Sequence, residues 1–259
     1  MYEISLPHGI MTRFPAAGVK KNALILCPGG GYEHCSIREG APAGRAFARR
    51  GIETFVLRYD CAPAPLGTRP LAALSAAVQW VRAHAEQYGI SPQRIAVGGF
   101  SAGAHLAGLH AAVWNRASWY PQGTDLALHQ PNAAVLCYPV VSAGEYAHRG
   151  SFQCLLGDQA HNQALLDKFS IEKHIDAKTP PVFVWHTMTD DAVPVENTLM
   201  LIQACRAAGV SIEAHLFPEG SHGLSLANAE TAGNGFYAHI VECVQCWPDL
   251  AEAWLRRLF

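Results

Sequence analysis

Short apolar segments alternate with helical patterns along most of this chain, and this alternation restricts the possible folds more than any other feature. Segments with the length of buried strands occur at residues 23–27, 54–57, 95–97, 133–138, 182–185 and 212–217. Helical patterns are predicted between and after them, at 41–50, 70–88, 195–208 and 248–259 and in a small-residue segment from 102. Such an order predicts an α/β fold with a mostly parallel central sheet and helices on both faces.

One interval breaks this rhythm. Residues 142–181 separate two predicted strands by more chain than a simple crossover needs. We therefore expect a single domain over residues 1–259 with a cap-like or substrate-side insertion at 142–181, before the strand that precedes the candidate acid.

Composition excludes several classes of function. The 259 residues are 50% hydrophobic and 15% charged, which is typical of a globular protein with a substantial core. A net charge of -2 gives no basic surface for a nucleic acid or an anionic membrane. The first residues lack a signal-peptide pattern, and no apolar stretch reaches the length of a membrane span. We expect a cytoplasmic protein that binds neither nucleic acid nor membrane.

The cysteines offer one possible metal site. His239, Cys243 and Cys246 would share a face of a continuous helix, but Pro248 follows closely and no fourth ligand is evident. We therefore expect no metal, and we expect the eight cysteines to be reduced and these two to be buried thiols.

The pentapeptide 99–103, Gly-Phe-Ser-Ala-Gly, fits G-x-S-x-G between a predicted strand and a predicted helix. A sharp turn of this kind exposes the serine hydroxyl above the sheet, and its glycines let neighbouring backbone approach closely. The helix N-terminus behind Ser101 favours negative charge on a bound group. These features predict that Ser101 is a nucleophile.

A glycine-rich loop at residues 28–32 follows the first apolar segment. A dinucleotide-binding loop would need a further glycine where His34 stands. The alternative is an oxyanion hole, in which backbone N–H groups stabilise a developing negative charge. We predict Gly29 and Gly30 as donors, together with the N–H of Ala102.

A serine hydroxyl needs a base and an orienting acid. His222 lies in a small-residue loop directly after the segment 212–217, where the loops of an open α/β sheet converge. Asp190 and Asp191 follow the segment 182–185, and from the residues alone either is a candidate acid. Other histidines fit other roles: His84 and His105 a structural one, His34 and His148 the lining of a pocket.

With these residues in place, the sequence resembles the α/β-hydrolase superfamily, and more closely the small esterases related to acetyl-xylan esterases and bacterial feruloyl-esterase-like carboxylesterases. The resemblance runs from about residue 22 to the end. Beyond the glycine-rich loop and 99–103, it rests on Arg38-Glu39-Gly40, on 56–59, on His105-Leu106 and on 193–197. Pro28 stands where many relatives have His, and Ala104 where Gly is usual.

The resemblance implies a serine carboxylesterase that hydrolyses short-chain acyl esters, with acetylated saccharides as candidate substrates. It assigns the acid to the Asp of D-x-x-V-P, which is Asp190, and implies no cofactor. Its small-molecule partner would be an ester, and a homo-oligomer is compatible with it. Alternatives are a serine peptidase of the prolyl-oligopeptidase type and a non-catalytic scaffold. For contacts to a polar leaving group the candidates are Tyr32, Tyr146, His148 and Arg149.

Overall fold

A computed structural model describes residues 2–17, 22–63, 65–233 and 237–259. Its centre is an eight-stranded sheet in the order β1-β2-β4-β3-β5-β6-β7-β8. The strands are β1 Tyr2–Leu6, β2 Gly9–Phe14, β3 Ala23–Cys27, β4 Glu53–Tyr59, β5 Ile95–Phe100, β6 Ala133–Cys137, β7 Val182–Thr187 and β8 Ile212–Phe217. From β4 to β8 all neighbouring strands are parallel, while β1 and β2 add an antiparallel edge.

Helices cover both faces of the sheet, as the alternation predicts. They are α1 Ala41–Arg49, α2 Arg69–Ala83, α3 Ala102–Val113, α4 Arg149–Leu156, α5 Gln163–Phe169, α6 Glu196–Ala207, α7 Ala229–Ala232 and α8 Trp247–Leu258. Apolar side chains of α2, α3 and α6 form the core on one face, and those of α1 and α8 form the core on the other. The predicted α/β architecture with a mostly parallel sheet is confirmed.

Two parts of the sequence prediction differ from the structure. The hairpin of β1 and β2 was not predicted, because its strands are only partly buried and carry no continuous apolar run. The helix predicted at 70–88 is also too long: α2 ends at Ala83, and a separate 3₁₀ turn, Glu86–Tyr88, leads into Gly89. Gly89 has φ 64°, the left-handed conformation that a glycine adopts readily.

Parallel strands bring their carboxyl ends to one edge of the sheet. The glycine-rich loop follows β3, Ser101 follows β5, and Asp190 and His222 follow β7 and β8. The insertion 142–181, which contains α4 and α5, begins beyond β6 at the same edge. This edge therefore collects the residues that the sequence analysis singled out.

Candidate active site

Ser101 occupies a strained turn between β5 and α3. Its φ of 52° is uncommon for a residue with a side chain, and its N–H is held by Cys137 O at 3.0 Å. The flanking glycines allow the chain to pass: a Cβ on Gly103 would lie 2.1 Å from Cys27 O, and one on Gly99 would lie 2.5 Å from Gly103. The sharp turn that G-x-S-x-G predicts is therefore present, and packing against β3 maintains it.

His222 links Ser101 to Asp190 by two hydrogen bonds. Its Nε2 lies 2.8 Å from Ser101 Oγ, and its Nδ1 lies 2.7 Å from Asp190 Oδ2. A carboxylate only accepts hydrogen bonds, so Nδ1 carries the proton and Nε2 is free to accept the serine proton. The ring also packs edge-on against Tyr138, with centroids 5.1 Å apart. This geometry suits a serine nucleophile and its general base.

The two neighbouring aspartates make different contacts. Asp190 Oδ2 reaches the His222 ring, and its Oδ1 accepts the N–H groups of Ala192 and Val193 at 3.0 and 2.8 Å. Asp191 Oδ1 instead accepts the backbone N–H of His222 at 3.1 Å. The structure therefore places Asp190, and not Asp191, against the imidazole, which is the choice implied by the resemblance.

A second histidine, His186, supports Asp190 and was missed by the sequence analysis. It is fully buried, with Nε2 3.1 Å from Asp190 Oδ2 and 3.0 Å from Val193 O, and Nδ1 2.8 Å from Thr198 Oγ1. Both Nε2 partners are acceptors, so Nε2 donates and Nδ1 accepts from the threonine hydroxyl. The available signal was its position at the end of β7, four residues before Asp190.

These contacts determine the charge of the acid. Burial raises the pKa of Asp190, but the hydrogen bonds from His186 and His222 outweigh burial and hold this pKa well below its usual range. The side chain is only 1% exposed and stays ionised at neutral pH. An ionised, fixed carboxylate can hold His222 in the tautomer described above.

The glycine-rich loop requires one correction. Gly29 donates its N–H to Glu39 Oε2 at 2.8 Å, so this N–H does not face Ser101 as predicted. Gly30 and Gly31, with φ of 116° and 65°, line the cavity beside Ser101. Within the described chain neither donates its N–H to another protein acceptor. Gly30 and Gly31 are therefore the available loop donors, alongside the first N–H of α3 at Ala102.

Ser101 and His222 open into a cavity of about 400 Å³. Apart from the glycines, its lining is largely polar and includes Glu33, His34, Arg38 and His148. His34 and His148 both lie in the lining of this cavity, where the sequence analysis expected them. A larger cavity of about 510 Å³ lies beside β2 and α1. It contains none of the residues Ser101, His222 and Asp190, so it is not the candidate active site.

Three of the four residues predicted to contact a leaving group do not line the active-site cavity. Tyr32 is 1% exposed, and its hydroxyl is hydrogen-bonded to His105 Nδ1 at 2.8 Å. Arg149 donates to the carbonyls of Ala143 and Gly144. Tyr146 is half-buried, and its carbonyl accepts from Asn197. Of the four residues, His148 alone lines this cavity in the part of the chain that the structure describes.

His105 and His84 have the structural environments that the sequence analysis assigned to them. His105 is fully buried between Tyr32 and Phe169 O, and burial lowers its pKa to about 4. His84 stacks on Trp80 at a centroid distance of 4.0 Å and contacts Trp80 O. Neither lines the cavity that contains Ser101.

Cys243 and Cys246 are exposed, contrary to the prediction of buried thiols. The neighbouring Val244 and Trp247 take the buried positions instead, because the segment is a 3₁₀ turn leading into α8 rather than one continuous helix. Among the residues that the structure describes, no three His, Cys, Asp or Glu side chains are grouped to hold a metal ion. None of the described helices is long and apolar enough to cross a bilayer.

Two curated proteins are similar over most of this chain. Endo-1,4-beta-xylanase B of Butyrivibrio fibrisolvens is 37% identical over 216 residues, which cover 82% of this chain and 34% of that protein. Acetylxylan esterase of Xylanibacter ruminicola is 31% identical over 208 residues, covering 78% of this chain and 40% of that protein. The chain therefore spans well under half the length of these relatives.

A solved structure of similar fold supports this comparison. The acetyl ester-xyloside bifunctional hydrolase of Caldicellulosiruptor lactoaceticus has a TM-score of 0.81 and 35% identity, covering 96% of this chain and 88% of that one. Together with the sheet order, this neighbour confirms the predicted α/β-hydrolase fold. The names of the acetylxylan esterase and of this structural neighbour both describe the hydrolysis of esters. Residues 14–204, well over half of the chain, match the family model described as BD-FAE. The protein therefore belongs to the BD-FAE family, in agreement with its resemblance to acetyl-xylan esterases.

Proposed function

We propose that this protein is a serine carboxylesterase that removes short acyl groups, and that its substrates are acetylated saccharides. The observation that carries the proposal is the pair of hydrogen bonds that connect Ser101 Oγ to His222 at 2.8 Å and His222 to Asp190 at 2.7 Å. Ser101 lies in a strained turn and lines a polar cavity. Esterase names among the relatives support the same reaction class.

In the acylation step, Ser101 Oγ attacks the ester carbonyl while His222 Nε2 takes the hydroxyl proton. Asp190 holds the Nδ1–H of His222 and stabilises the imidazolium that forms. The negative charge of the tetrahedral intermediate falls on the carbonyl oxygen, where the N–H groups of Gly30, Gly31 and Ala102 can stabilise it. His222 then gives its proton to the leaving alcohol oxygen, and the acyl group remains on Ser101.

Deacylation repeats this chemistry with water. A water molecule loses a proton to His222 Nε2, attacks the acyl-enzyme carbonyl and forms a second tetrahedral intermediate. Collapse of this intermediate returns the proton to Ser101 and releases the carboxylic acid. All proton transfers use His222, so the mechanism needs no further acid or base.

The cavity lining supports a small acyl group and a polar alcohol. Each methylene buried in an apolar pocket contributes about 0.8 kcal/mol, but the described residues that line this cavity include Glu33, His34, Arg38 and His148 and no Leu, Ile, Val, Phe or Met. Sugar hydroxyls, by contrast, can exchange hydrogen bonds with such side chains. The names of the acetylxylan esterase and the acetyl ester-xyloside hydrolase are consistent with this substrate class.

The test is a panel of p-nitrophenyl esters of increasing acyl length, acetylated xylose and xylo-oligosaccharides, and a chromogenic peptide amide. We expect kcat/KM for acetyl and propionyl esters to exceed that for octanoyl esters by about tenfold or more. We also expect acetate release from the acetylated sugars. A preference for long acyl chains, or cleavage of the amide without release of acetate from any sugar, would contradict the proposed substrate. Absence of all hydrolysis would favour the scaffold.

A further inference from the structure

We propose that Glu39 and Tyr138, together called the Glu39–Tyr138 pair, are positioning residues. They hold the glycine-rich loop (residues 28–32) and the His222 loop (residues 218–225) in fixed positions relative to Ser101. The inference rests on the proposed function, because the loops it aligns carry the proposed oxyanion donors and general base. It assigns a role to the Glu of Arg38-Glu39-Gly40, which the mechanism above leaves unused.

Glu39 is a buried carboxylate that contacts two separate loops. It is 4% exposed and lies in a short 3₁₀ turn, Ile37–Glu39. Oε2 accepts the N–H of Gly29 at 2.8 Å, and Oε1 accepts the hydroxyl proton of Tyr138 at 2.7 Å. Burying a carboxylate is costly unless its oxygens are hydrogen-bonded. Each oxygen of Glu39 therefore fixes a different loop.

Tyr138 connects Glu39 with the His222 loop. Its hydroxyl accepts the N–H of Ser225 at 3.0 Å, and its ring packs edge-on against the His222 ring. Burial, followed by the nearby Glu39, raises the pKa of Tyr138, so the hydroxyl keeps the proton that it donates to Glu39. One hydroxyl thus connects the carboxylate with the loop that carries the proposed base.

The same 3₁₀ turn holds the His222 loop through further contacts. Ser225 Oγ donates to Arg38 O at 2.8 Å, and Arg38 Nη2 donates to Gly223 O at 3.0 Å. The turn therefore contacts positions immediately after His222 as well as the start of the glycine-rich loop. Movement of this turn would therefore displace the glycine-rich loop and the His222 loop together.

The Gly29–Gly30 peptide shows how the pair acts on the oxyanion donors. In a trans peptide the C=O of Gly29 and the N–H of Gly30 point in opposite directions. Ser36 N–H donates to Gly29 O at 2.9 Å, while Glu39 holds Gly29 N–H from the other end of the same residue. The Ser36 contact directs the Gly30 N–H away from Ser36, while the Glu39 contact fixes the preceding Pro28–Gly29 peptide. Loss of the Glu39 contact frees the Pro28–Gly29 peptide and so lets Gly29, to which the Gly29–Gly30 peptide is attached, change its conformation.

Glutamine at position 39 is the sharpest substitution because it keeps the shape and removes one acceptor. An NH2 group replaces one carboxylate oxygen, so in this arrangement either Gly29 N–H or Tyr138 O–H loses its acceptor. Tyr138→Phe removes the other half of the connection and keeps the ring against His222. Glu53→Gln is the matched control. Glu53 is fully buried and accepts a backbone N–H from Ala16, but it lies at the start of β4, whereas Ser101 lies at the carboxyl ends of the strands.

The experiment measures three quantities for each full-length variant: kcat/KM for p-nitrophenyl acetate, Ki for phenylboronic acid, and Tm. Phenylboronic acid forms a tetrahedral adduct on a reactive serine and so reports on the oxyanion donors without turnover. We expect Glu39→Gln to lower kcat/KM by about thirtyfold and raise Ki by about tenfold or more, and Tyr138→Phe to change both by about fivefold. Glu53→Gln should lower Tm and leave both values within twofold of wild type.

A purely structural role makes a different prediction. If Glu39→Gln lowers Tm but changes kcat/KM and Ki no more than Glu53→Gln does, the positioning role is wrong. If Glu39→Gln does not fold, Tyr138→Phe decides by the same criterion. Wild-type protein that neither hydrolyses an ester nor reacts with a fluorophosphonate would overturn the proposed function itself. An active wild type with unaffected variants overturns only the role of the pair.

Discussion

The two sides of the active-site cavity are held in place by very different numbers of contacts. On one side Asp190 is almost fully buried, and both its oxygens accept hydrogen bonds from His222, His186 and two backbone N–H groups. On the other side Glu33 and His34 are exposed, and neither side chain forms a hydrogen bond with another part of the described chain. The side with the proposed catalytic residues is preorganised, whereas the other side leaves polar groups exposed to solvent.

The largest expected effect comes from removing the nucleophile on the preorganised side. Ser101→Ala should lower kcat by roughly 10⁴ or more with Tm little changed, because only binding and the oxyanion donors then remain. Steady-state hydrolysis of p-nitrophenyl acetate and labelling by a fluorophosphonate measure this. Activity within tenfold of wild type, or labelling at a different residue, would reject Ser101 as the nucleophile.

A smaller effect separates the two aspartates. Asp190→Asn should lower kcat by roughly 10³, because an amide at this position favours the wrong tautomer of His222. Asp191→Asn is the matched control and should lower kcat less than tenfold, since within the described chain the Asp191 side chain is hydrogen-bonded to the backbone N–H of His222 and not to its ring. Equal losses in the two variants would show that the acid role is shared.

A substitution on the exposed side of the cavity should change kcat/KM according to the alcohol part of the substrate and not according to its acyl group. His148 Nδ1 accepts from the N–H and hydroxyl of Ser151, so in the neutral ring Nε2 carries the proton and can donate to a sugar hydroxyl. We expect His148→Ala to lower kcat/KM for acetylated xylose about tenfold, and for p-nitrophenyl acetate less than threefold. His161→Ala, an exposed histidine of the same insertion, is the control. Equal losses on both substrates would contradict a contact to the alcohol.

A change in stability, rather than in activity, tests the buried interior behind Ser101. Burial lowers the pKa of His105 from 6.5 to about 4, so the unfolded chain binds its proton first as pH falls. The contribution of neutral His105 is therefore complete above pH 6.5 and is lost progressively toward pH 4. Between pH 7 and pH 5 this amounts to about 2 kcal/mol, or a fall in Tm of about 4 to 8 °C. Thermal unfolding of wild type and His105→Gln measures it, and an equal pH dependence in both would refute this assignment.

A cytoplasmic location, a homo-oligomer and a single domain over residues 1–259 stay predictions from the sequence. The catalytic roles of Ser101, His222 and Asp190 likewise await the measurements above. What the structure contributes is their arrangement, which makes each measurement specific to one contact.

Three of the residues that the sequence prediction misplaced or missed share a physical cause. Gly29 was a reasonable donor by its position in the loop, but its N–H is taken by Glu39. Tyr32 has a hydroxyl suited to a sugar, but this hydroxyl meets His105, 73 positions away. His186 was missed because its partner Thr198 lies on the next helix. Each outcome depends on a side-chain hydrogen bond between different elements.

The sequence by itself determined the order of the six parallel strands and of helices α1, α2, α3, α6 and α8, the turn at Ser101 and the loop that carries His222, because apolar periodicity and glycine spacing act locally. It placed Asp190 and Asp191 together in one loop, and only the resemblance to a family separated them. The tertiary structure decided which aspartate faces the imidazole, which glycine N–H groups remain free, and which side chains of the insertion reach the cavity. These choices depend on the distance and direction between side chains brought together from separate strands, which no local pattern encodes.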